Sequence, residues 1–187
     1  MTTTCSTDLL PVTGFVALPV RAEVVEKRPW GERGDSPAYL NLSPNVVAVL
    51  ISETGHLLSR IDLWDRGLSV KQAWDSAAYT LLERQNSHRV EFQVRNASCA
   101  LGTTAPRGFE IAPFDVPAVA WLSHPKTFQM LHQHFLEVLV PKTGLVYVTR
   151  DQRDLFVLDT TIEAAAKAVP QATVMTYSLG FPVVTRV

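Results

Sequence analysis

At 187 residues, with 47% hydrophobic and 19% charged side chains, the chain has enough apolar material for one ordinary core and too much to remain disordered. Its 17 basic and 18 acidic residues nearly cancel to a net charge of −1, and no local basic run replaces that missing field. Nucleic acid and anionic membrane surfaces therefore find little to attract them. No stretch of about 18 apolar residues marks a transmembrane helix.

Met1–Leu10 lacks the basic start and long apolar segment of a secretory signal. The two cysteines, Cys5 and Cys99, imply no disulfide framework and read as free thiols. A cytoplasmic location is the resulting expectation. Residues 1–13, rich in Thr and Ser, read as a weakly tied leader, with a single domain over 14–187.

Along the chain, Gly14–Val25 is an extended run broken by Pro19, which places it at a sheet edge. Glu26–Pro37 is a polar loop that carries Trp30 and an Arg33-Gly34-Asp35 tripeptide like the one integrins read. Without a secretion signal it counts as an ordinary Gly/Pro loop. Val46–Ile51 is apolar, Thr54-Gly55 offers a turn, and Leu57, Leu58, Ile61, Leu63 and Trp64 follow. That pattern predicts a hairpin.

Ser69 can cap a helix over about 70–84, whose stripe is Val70, Ala73, Trp74, Ala77, Ala78, Leu81 and Leu82. Arg89–Arg95 alternates apolar and polar residues, as a half-buried strand does. Asn96–Pro117 reads as loop, with Phe109, Ile111 and Phe114 dipping into the core.

Three local codes agree from Ser123 to Asp159. Ser123 can cap, Pro125 suits a first turn, and Phe128, Leu131, Phe135, Val138 and Leu139 recur at helical spacing. Gln129, Gln133 and Glu137 fall on the wet side. Leu145–Val148 and Leu155–Leu158 are unbroken apolar runs joined by charged residues, which predicts a central hairpin buried on both faces. A short helix over 164–168, capped by Thr160 or Thr161 and stopped by Pro170, precedes closing strands around Gly180. The fold class is α+β: one antiparallel or mixed sheet carrying two main helices and one short helix on one face.

Chemistry is harder to find. His132 and His134 are two apart on a helix and diverge, whereas a helical metal pair needs a spacing of three or four, so no metal or other cofactor is expected. Nucleophile elbows, P-loops and dinucleotide fingerprints are missing, and no catalytic residue stands out. Two surfaces remain as candidates for a protein partner. One is the hairpin tip Arg150, Asp151, Gln152, Arg153 and Asp154, which mounts mixed charge on two rigid strands. The other is Trp64 with Asp65, an aromatic anchor beside a carboxylate.

In its order of elements the chain resembles the uncharacterised bacterial YtpQ-like family over about half its length. The resemblance rests on Val46–Leu82 and Gly108–Asp159: strands leading to the helix at Val70–Leu82, a helix starting at His124-Pro125, and a strand pair closing around Arg150-Asp151 or Arg153-Asp154. It implies a bacterial protein and a fold, and no mechanism. The functional expectation is a non-enzymatic binding or regulatory module. The alternative is a small-molecule enzyme or sensor with a pocket between helices and sheet, lined by Trp74, His132 or Tyr147.

Overall fold

A computed structural model describes residues 2–6, 20–28, 36–83, 89–112 and 116–185. The boundary at 13/14, the Arg33-Gly34-Asp35 tripeptide, Trp30 and Phe114 lie outside them. The elements in chain order are β1 (Thr2–Ser6), β2 (Val20–Glu26), β3 (Tyr39–Ser43), β4 (Val46–Ser52), α1 (Arg60–Trp64), α2 (Val70–Glu83), β5 (Arg89–Asn96) and α3 (Ser98–Leu101). Then come β6 (Gly108–Ile111), a 3-10 turn (Ala118–Leu122), α4 (Pro125–Leu139), β7 (Leu145–Thr149), β8 (Leu155–Asp159), α5 (Ile162–Ala168), β9 (Thr173–Ser178) and β10 (Phe181–Val184).

The α+β class holds, and every strand pairing among the described residues is antiparallel. The strands form two sheets instead of one. The larger has the order β1-β5-β6-β8-β7-β9-β10 and the smaller β2-β4-β3. The β7–β8 hairpin is central and buried, as its unbroken apolar runs require.

Those same runs explain why the helices are not confined to one face. Leu145, Tyr147, Leu155 and Val157 join the core shared with α2, α4 and the smaller sheet. Val146, Val148, Phe156 and Leu158 join a second core under α3 and α5. Apolar residues at successive strand positions point to opposite sides, so both sides must be covered.

The periodic helices fall where expected. Ser69 and Gln72 form a reciprocal cap before α2, with Gln72 N–H donating to the Ser69 hydroxyl at 3.2 Å and Ser69 N–H to the Gln72 amide oxygen at 3.0 Å. On α4, Phe128, Leu131, Phe135 and Leu139 are buried while Gln129, Gln133 and Glu137 are exposed; Val138, which the spacing places in the apolar stripe, is exposed at its edge. The α4 cap is His124, whose Nδ1 accepts the Lys126 N–H at 3.1 Å; Ser123 instead donates its hydroxyl to the Ala120 carbonyl.

Three segments depart from expectation. Thr2–Ser6 pairs along β5, where the composition points to a loose leader. Asn96–Pro117, read as loop, contains α3 and the interior strand β6, whose Gly108 lies directly against β8. A Cβ at Gly108 would sit 2.2 Å from the Val157 carbonyl oxygen, so only glycine fits. Residues 57–64, read as the second arm of a hairpin, hold only isolated bridges, Leu57 to Ile51 and Ser59 to Pro37, and then become α1.

Candidate functional site

The segment that became α1 also builds the most distinctive surface. Ser59 caps it: the hydroxyl accepts the Asp62 N–H at 3.1 Å, and the Asp62 carboxylate accepts the Ser59 N–H at 2.7 Å. The Ser59 hydroxyl also donates to that carboxylate at 2.7 Å, and this bond together with the Ser59 N–H holds the Asp62 carboxyl below its ordinary range. Leu58 before the cap and Leu63 in the helix are 4% and 1% exposed in the same core, which is the arrangement of a hydrophobic staple. At the other end Gly67 adopts φ 69°, its N–H donates to the Trp64 carbonyl and the Leu68 N–H donates to the Leu63 carbonyl at 2.9 Å. This is a Schellman closure, and glycine is the residue that enters it without strain.

Each fixed end dictates what faces out. With Leu58 and Leu63 turned inward, Ile61 and Trp64, three residues apart, share the outer face. Ile61 is 53% and Trp64 82% exposed, and Leu57 adds a neighbouring 52%. Arg60, Asp65 and Arg66 are exposed around them. A tryptophan held out on a backbone closed at both ends is preorganised for contact. The Ser59-x-x-Asp62 spacing between two leucines, followed by Gly67, is the signal that could have located this helix from sequence.

The hairpin tip is built differently. The Asp154 carboxylate accepts the Arg150 N–H at 2.8 Å and the Thr149 hydroxyl at 3.1 Å, and it pairs with the Arg150 guanidinium. Asp151 accepts the backbone N–H groups of Arg153 and Asp154, which lower its carboxyl's pKa. Arg150 also lies 4.9 Å above the Phe156 ring. These groups close a tight turn around Gln152 at φ 62°, leaving the exposed Arg153 as the side chain with least tied down. Trp64 and Asp65 are both exposed at the end of α1, whereas Arg150, Asp151 and Asp154 are occupied by their own turn.

The histidines illustrate why presence is not chemistry. His124 Nε2 lies 3.3 Å from Asp75, like the base and orienting carboxylate of a hydrolase, but its Nδ1 is consumed by the α4 cap. Both ring nitrogens are committed. His132 Nδ1 lies 2.7 Å from the Tyr147 hydroxyl, and the ring stacks on Tyr177 at 4.0 Å between centroids. Burial pushes the Tyr147 pKa well up and the His132 pKa down, so a neutral phenol and a neutral imidazole share this hydrogen bond. His134 points elsewhere, into the core beside Phe92 and Phe135, with Nε2 unpaired.

Trp74 and Tyr147 lie inside the core, and the Trp74 indole N–H donates to the Ser123 carbonyl at 2.7 Å. Among the described residues no group of three or more His, Cys, Asp or Glu is placed to hold a metal ion, and no helix is long and apolar enough to cross a membrane. No family model, curated protein or solved structure matches the chain.

Proposed function

We propose that this is a non-enzymatic, cytoplasmic protein-binding module that seats Trp64, flanked by Ile61 and Leu57, in an apolar concavity of a partner protein. The observation that carries the reading is the 82% exposure of a tryptophan whose backbone is fixed by a cap, a staple and a Schellman turn. Tryptophan is the side chain most enriched among interface anchors, and a charged rim around an apolar centre is the usual anatomy of such contacts. Because Trp64 protrudes, the complementary surface on the partner must be concave. Kinship with the YtpQ-like family belongs to the same proposal, supported by the α2, α4 and β7–β8 elements that its pattern shares.

The test places a photo-crosslinking amino acid at the exposed position 60, at the rim of this face, in the intact chain in host cells, and compares capture when the chain carries Trp64, Trp64→Ala or Arg153→Ala. A discrete protein adduct is expected. Trp64→Ala should weaken capture by roughly 30-fold, the loss of about 2 kcal/mol typical of a central anchor, and leave stability nearly unchanged. Arg153→Ala should retain the partner. Equal capture by Trp64→Ala and wild type would exclude this face.

A further inference from the structure

A cleft of about 760 Å³ lies between the two sheets, far from the elements that present Trp64 in sequence and lined by different residues. Its floor is made by Val24 of β2, Val46 of β4, Val119 of the 3-10 turn and Met175 of β9, all almost fully buried yet facing the space. Its volume lies within the range of small-molecule sites, and apolar walls with few polar groups are their usual lining.

Three charged side chains border it, Glu26, Glu163 and Lys167. They are not equivalent. The Glu163 carboxylate folds back on the first turn of α5, held by its own backbone N–H and by Thr161. Glu26 has a partner of its own. Lys167, in the last turn of α5, has no acidic partner within 4 Å among the described residues. The cleft thus offers an apolar floor beneath a mixed polar rim, with one cation at its edge that has no acidic partner within 4 Å among the described residues.

We propose that this cleft binds an amphipathic monocarboxylate, with its hydrocarbon chain on Val24, Val46, Val119 and Met175 and its carboxylate at Lys167. Hydrocarbon burial supplies the affinity and the ammonium sets the orientation. A cationic amphiphile would meet the Lys167 ammonium and find both carboxylates already engaged, so pairing at Lys167 favours the anion.

Titration of the full chain with dodecanoate or dodecanol, below micelle-forming concentrations and followed by methyl NMR, tests this. Dodecanoate should bind saturably at one site, shift the Met175 and Val119 methyl signals, and exceed dodecanol in affinity. Lys167→Glu, an exposed substitution, should weaken dodecanoate roughly fivefold and spare dodecanol, as expected for a solvent-edge ion pair. Trp64→Ala should leave the titration unchanged, which separates this site from the protein-binding one. Unmoved Met175 and Val119 methyl signals, or equal affinities for acid and alcohol, would overturn the proposal.

Discussion

Val140 ends α4 in the left-handed region at φ 43° and ψ 64°, where a branched Cβ crowds the neighbouring carbonyl. The position is 70% exposed, so no burial offsets that crowding. What holds the conformation is the turn that follows: Asp159 accepts backbone N–H groups from Lys142, Thr143 and Gly144 at 2.9–3.3 Å, fixing the path from α4 into β7. These donors also hold the Asp159 carboxyl below its ordinary range. Val140→Gly should therefore stabilise the protein by about 1 kcal/mol, the left-handed penalty relieved exceeding the extra chain entropy of glycine. A urea midpoint that rises at constant slope is the expected result; a lower midpoint would show the valine to be unstrained.

At the scale of elements, α1 is too short to persist by propensity, since helices below about 12 residues are marginal without support. Its support is the Ser59–Asp62 box and the Leu58–Leu63 staple. Ser59→Ala should cost about 1 kcal/mol and speed hydrogen exchange at Asp62 and Leu63 while leaving α4 protected. It should also increase Trp64 fluorescence depolarisation, because the anchor loses its fixed base. Unchanged exchange at Asp62 would mean that the staple alone suffices.

The same helix marks where sequence patterning runs out. α2, α4 and the β7–β8 hairpin announce themselves because one local period governs each whole segment. In 57–64 the leucines, isoleucine and tryptophan fit either period, and only capping chemistry decides. β6 is four residues between Pro106 and Pro113, defined by its partners β5 and β8 and not by its own composition. For the candidate site, Trp64 and Asp65 were legible as residue types, but which of them project from the surface depended on Leu58 and Leu63 turning inward. The cleft is less legible still, because its walls come from β2, β4, β9 and α5, distant in sequence.

Across the whole molecule, α4 ties three histidines to the packing of the larger sheet. His124 caps its N-terminus against Asp75, His132 meets Tyr147 and Tyr177, and His134 lies against Phe92. Burial lowers the pKa of each; Asp75 partly opposes this at His124, where Lys126 and Lys71 reinforce it, and Glu137 partly opposes it at His134. The sign follows directly: an unfolded histidine with pKa about 6.5 takes up protons before its folded counterpart does. Stability is then complete above that value and falls as pH drops through it toward the lower folded pKa values. A second loss begins only below about pH 4, where Asp62, Asp151, Asp159 and Glu163, all lowered by hydrogen bonds, are protonated. Urea midpoints measured from pH 7.5 to 5 should decline, and His134→Leu should flatten that decline because a side chain that cannot titrate replaces a buried imidazole. A flat profile in wild type over this range would place the histidines in surroundings as wet as the unfolded chain. It would contradict the close packing of α4 on which the shared core depends.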